Sequence, residues 1–98
     1  MTTTELEELS RQVAKLEGIE PYVARYPIYD ASPTIWLYQD PARCMEIADK
    51  YEFSIIRYTN GVGIDNHRKI EVYANHPIKL QATCVAILRA RLGMGEVE

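Results

Sequence analysis

The sequence predicts an α+β domain: an antiparallel meander of three to four strands, packed by three helices into an α-β-α sandwich. Three observations carry this. Residues 75–93 have a broad apolar arc at helical spacing. Residues 53–74 read as short strands broken by turn signals, among them Asn60-Gly61. Two further segments open with helix-start chemistry, one near Thr4 and one at Asp40-Pro41. Ninety-eight residues suit a single domain with one core.

The first helix is expected to start at a capping box, Thr4 with Glu7 three residues on. Leu6, Leu9, Val13 and Leu16 then recur at intervals of three and four, a narrow stripe that packs by one edge. A short coiled-coil seam is the other use for such a stripe. Gly18 ends the helix. Residues 19–39 follow as an irregular stretch. Pro21, Pro27 and Pro33 exclude a long helix there, and Tyr22, Tyr26, Tyr29, Trp36 and Tyr38 concentrate aromatic rings. Those rings either pack over the edge of the core or form a ledge for a partner, centred on Trp36 and Tyr38. Thr34–Leu37 is a candidate short strand.

Asp40 as N-cap and Pro41 at the first position start the second helix, with Cys44, Ile47, Ala48 and Tyr51 inward. The strand at 53–59 carries apolar residues on both faces, Phe53 and Ile55 on one, Ile56 and Tyr58 on the other. That predicts helical cover on both sides of the sheet. Val62–Asp65 is a second strand, Asp65-Asn66-His67 a turn, and Lys69–Ala74 alternates strictly, Ile70, Val72 and Ala74 one way.

The closing helix is expected from Asn75 or His76 as cap, with Pro77 in its first turn and Gly93 at its end. Ile78, Leu80, Cys84, Val85, Ile87, Leu88 and Leu92 form the inward arc. Ala82, Ala86 and Ala90 line up on the remaining face. They are either solvent-facing alanines chosen for helix propensity or the contact of a second helix, with a homodimer interface as the specific form of that reading.

A net charge of −3 argues against a general nucleic-acid or anionic-membrane binder. No window approaches the roughly 18–20 apolar residues of a membrane span, and the polar start lacks the pattern of a secretory signal. Cys44 and Cys84 read as buried free thiols of a reducing compartment, with a bridge between them as the alternative. The expected location is the cytoplasm. His67 and His76 have no companion at metal-ligand spacing, and no phosphate loop, nucleophile elbow or dinucleotide fingerprint is present. The expectation is therefore a non-enzymatic protein with neither cofactor nor metal. Arg57, Tyr58, His67, Arg68 and Lys69 are the candidate cluster for a small anionic ligand, such as a nucleotide signal. Scattered solubilising charge is the alternative for them.

Three stretches resemble the phage ABA sandwich domain family of small phage and prophage proteins. They are Val13-Ala14-Lys15-Leu16-Glu17-Gly18, then Tyr38-Gln39-Asp40-Pro41-Ala42 leading into Met45-Glu46-Ile47-Ala48-Asp49-Lys50-Tyr51, and the segment Ala82–Ala90. The resemblance implies a helix–sheet–helix sandwich of phage origin that acts on a host protein, interference with host defence included. It transfers no catalytic residue. A structural phage protein is a further reading.

Overall fold

A computed structural model describes residues 2–24, 34–74 and 79–95. The fold class is α+β, with three helices and two antiparallel sheets. Helix α1 spans Thr3–Glu17. It begins two residues before the expected box, because Thr2 and Glu5 satisfy the same pattern and gain the chain half a turn. The Thr2 hydroxyl accepts from the Glu5 N–H at 3.2 Å, and the Glu5 carboxylate accepts from the Thr2 N–H at 3.2 Å. Gly18 takes the left-handed conformation, φ 68°, and ends the helix as expected.

Strands β1 (Tyr22–Ala24) and β2 (Thr34–Trp36) form a two-stranded ribbon, with Tyr22 opposite Trp36. The sequence pointed to β2 and to no partner for it, since a three-residue strand carries almost no periodicity. Tyr26, Tyr29, Pro27 and Pro33 lie outside the described residues. After a short 3-10 turn, Leu37–Gln39, helix α2 runs from Pro41 to Lys50. The Asp40 carboxylate accepts from the Arg43 N–H at 3.3 Å, the cap its sequence announced.

The meander is β3 (Ser54–Tyr58), β4 (Gly61–Asp65) and β5 (Ile70–Ala74), in that spatial order. Ile55 stands opposite Ile64, which stands opposite Glu71. Ile56 stands opposite Gly63, which stands opposite Val72. Residues paired across an antiparallel ladder share a face, so the two faces follow directly from the register.

Helix α3 is described over Lys79–Met94; the expected caps Asn75 and His76, with Pro77 and Ile78, lie outside the described residues. It packs on β4 and β5 with one side and on α1, α2 and the 3-10 turn with the other. Its middle is therefore buried all round, from Cys84 to Leu88 and again at Ala90. This corrects the reading of the alanine face. Ala82, Ala86 and Ala90 are buried inside the chain and do not form a surface between copies. Small side chains here fit a helix that carries a sheet on one side and two helices on the other. Leu80, expected inward, is exposed at the rim of a cleft.

The helices all lie on one side of the meander among the described residues, and the cover expected on its second face is not found there. Among the same residues no helix is long and apolar enough to cross a membrane.

Candidate binding surfaces

The inner face of the meander holds Ile55, Arg57, Val62, Ile64, Glu71 and Tyr73. Val62 and Ile64 are buried, and Ile55 and Tyr73 pack against the core. Its polar members are Arg57, exposed at the hairpin end, and Glu71. Glu71 meets Lys69 Nζ at 2.6 Å and Arg89 Nη2, on α3, at 3.8 Å. The strict alternation of β5 thus faces the opposite way to a simple apolar-in rule. Tyr73 and an ion-paired Glu71 face α3, while Ile70 and Val72 face out.

The outer face is open. Tyr58, Ile70 and Val72 are 45%, 49% and 47% exposed, and Ile56 beside them is half-buried. Gly63 lies at the centre of this group. A Cβ added there would sit 2.8 Å from Cε2 of Tyr58 and 3.2 Å from Cγ2 of Ile70. Tyr58 and Ile70 lean over the glycine from the two neighbouring strands, filling the gap left by its missing side chain. They make one continuous apolar surface. The only ionisable side chain that the register puts on this face besides Tyr58 is Asp65, at its corner.

A second aromatic surface sits on the ribbon. The rings of Tyr22 and Trp36 are 5.0 Å apart at 54°, and the Arg11 guanidinium lies 4.8 Å from the Trp36 ring. Tyr22 is exposed and Trp36 half-buried. Tyr38, expected on the same ledge, is buried instead. Its N–H donates to the Ser10 hydroxyl of α1 at 3.1 Å, and burial pushes its phenol above the usual tyrosine range. It pins the 3-10 turn to α1 and is not a surface contact.

The structure also divides the expected positive rim. Arg57 and Tyr58 sit at the β3–β4 hairpin, where Tyr58 pairs with Gly61. His67, Arg68 and Lys69 belong to the β4–β5 turn, at the other end of five-residue strands. Arg57 pairs with Val62, so the length of β4 from there to Asp65, roughly 10 Å at about 3.3 Å per residue, separates the two groups. The turn is instead a structural clip. Asn66, buried, donates its amide to the Ala90 carbonyl of α3 at 3.1 Å. Its side-chain oxygen accepts from the N–H groups of Arg68 and Lys69 at 3.1 and 3.0 Å. His67 Nε2 donates to the Glu52 carbonyl at 2.9 Å, and its backbone has a φ of 72°. Arg68 Nη1 reaches the Met94 carbonyl at 3.5 Å. These side chains fasten the turn to α3 and to the start of β3 and are not gathered around a ligand.

The strongest charge cluster also holds the fold together. Glu17, at the end of α1, accepts from Tyr51 Oη at 2.5 Å, Arg91 Nε at 2.6 Å and Lys50 Nζ at 3.3 Å. The Glu17 and Arg91 side chains are 5% and 3% exposed. Burial pushes the Glu17 carboxyl up, but the hydrogen bonds from Tyr51, Arg91 and Lys50 outweigh it and hold the group below its usual range. Arg91 Nη1 also donates to the Gly95 carbonyl at 2.5 Å. One carboxylate thus ties together the ends of all three helices. Its partners are 33 to 74 residues away in the chain, so no local motif announces it.

Among the described residues no group of three His, Cys, Asp or Glu side chains could hold a metal ion. Compared with family models, with curated proteins and with solved structures, the chain finds no match.

Proposed function

We propose that this protein acts by binding another protein through the outer face of its meander, with no chemistry of its own. The observation that carries this is the adjacent placement of Tyr58, Ile70 and Val72, each nearly half exposed, around Gly63. A contiguous apolar patch on a small domain is the usual mark of an interaction surface. The near absence of charge on this face calls for a partner surface that is itself apolar and uncharged. Tyr58 supplies the large, stiff ring typical of interface hot spots. The Tyr22–Trp36 pair offers a second contact of the same chemistry.

The resemblance to small phage proteins adds the origin of the partner, a bacterial host protein, with interference in host defence as the role. Sequestration of a small anionic ligand is the weaker reading, because Arg57 and the His67–Arg68 pair stand at opposite ends of the sheet.

The test is a paired capture from host lysate, with the natural chain and an Ile70→Ser, Val72→Ser variant as baits. Unchanged circular dichroism and melting must first show that the variant is folded. One host protein retained by the natural chain and lost by the variant supports the reading. Equal capture by both, or self-association of the natural chain abolished in the variant, overturns it. The second result would make the face a contact between copies.

A further inference from the structure

Helices α2 and α3 bring the two cysteines of the chain together in the core. The Cys44 thiol donates to the Leu37 carbonyl at 3.1 Å, and its sulfur lies close enough to that of Cys84 for the two to interact. Both thiols are buried. They differ in access. Cys84, and not Cys44, lines an open cleft of about 230 Å³, walled by Tyr38, Gln39, Pro41, Leu80 and Gln81.

We propose that Cys84 and Cys44 form an oxidisable dithiol that closes to a disulfide when hydrogen peroxide enters this cleft. Peroxide is small enough for the space, and Cys84 is the sulfur it meets. The Cys84 thiolate attacks one peroxide oxygen, the O–O bond breaks, and hydroxide leaves, giving a sulfenic acid on Cys84. Cys44 then attacks the Cys84 sulfur. The S–O bond breaks, and the hydroxyl of the sulfenic acid leaves as water with the proton released from the Cys44 thiol, while the proton that Cys84 gave up turns the hydroxide of the first step into the second water. In sum, two thiols lose two hydrogens, one peroxide becomes two waters, and a bond joins α2 to α3.

Access sets this order, since Cys84 lines the cleft and Cys44 does not. The neighbouring Cys84 sulfur, with burial, pushes the Cys44 thiol above the usual range, so it keeps its proton until Cys84 has reacted.

Mass spectrometry of the folded chain after peroxide treatment tests the proposal. The expected product is lighter by about 2 Da, and a dithiol reductant restores the original mass. Cys44→Ser should instead take up oxygen, about 16 Da or about 32 Da, at Cys84. Cys84→Ser should keep Cys44 unmodified when oxygen uptake is mapped peptide by peptide, apart from sulfoxide at the methionines, because Cys44 has no opening of its own. Loss of about 2 Da only after urea has unfolded the chain would overturn the proposal. So would oxygen uptake at both cysteines of the folded natural chain without the bond.

Discussion

On the inner face of the meander Ile64 has no exposed surface, while on the outer face Val72, opposite Gly63 on the next strand, keeps 47% of its own. Both are β-branched and both sit inside a strand, Ile64 on the central one between Ile55 and Glu71, Val72 on an edge strand opposite Gly63. The larger difference is cover: α3 lies against one face and, among the described residues, no helix lies against the other. A strand side chain contributes to stability by what covers it, so equal residues on opposite faces have different uses. The inner face holds the fold together, and the outer face leaves apolar surface for a partner.

The comparison breaks most violently where α3 is anchored. Arg91→Ala leaves the Glu17 carboxylate buried without its closest cation, which should cost about 3–5 kcal/mol in urea unfolding. Against a total of about 5–15 kcal/mol for a domain of this size, that is a large share of what keeps α3 on the inner face. The same cluster sets the acid response. The folded pKa of Glu17 lies below its ordinary 4.5, so its contribution is complete above that pH and is lost as pH falls further through the folded value. The melting temperature of the natural chain should drop over that acid range, and Glu17→Gln should remove that part of the slope.

Ile64→Ala, on the face that α3 covers, should cost about 2–5 kcal/mol by the same measurement, through lost transfer energy and the cavity left behind. Gly63→Ala is a smaller perturbation on the open face. The new methyl pushes on Tyr58 and Ile70, but Tyr58 swings towards solvent, so the cost should sit near the lower end of overpacking, about 1 kcal/mol. If it instead equals the Ile64 loss, Tyr58 is held in place and that face is not open. The smallest effect belongs to Ile70→Ser with Val72→Ser, at most about 0.5 kcal/mol for each exposed site. That change should leave melting almost untouched while abolishing capture of the partner. A large loss of stability would mean that something covers the face.

Much of the architecture is legible from single residues. Asp40-Pro41 and Gly18 mark helix boundaries because capping and left-handed backbone are local chemistry. Asn60-Gly61 marks the first hairpin for the same reason. The Thr4–Glu7 box stands two residues from the one in use, Thr2–Glu5, because a run of threonines offers the same pattern twice. The candidate site was read less well. Tyr58 stands on the proposed surface, whereas Tyr38 went into the core and the alanine row was claimed by the chain's own helices. Arg57 was expected beside His67 and Arg68, but five-residue strands hold apart side chains that are close in number in a turn-rich sequence. Gly63, the centre of the outer face, gave no signal beyond being a glycine in a strand.

By itself the sequence determined the main turns, the three helical segments and the three strands of the meander, though not β1, and that both faces of the first meander strand carry apolar residues. Those are consequences of neighbours within a few residues. Only the tertiary structure decided which face α3 would cover, that Glu17 would meet Arg91 and Tyr51, and that Cys44 would meet Cys84. The side-chain meetings join groups 34 or more residues apart, and the strand pattern is the same whichever way the sheet is laid against the helix. The choice comes from how three helices share one buried volume, and that packing leaves Ile70 and Val72 in the open.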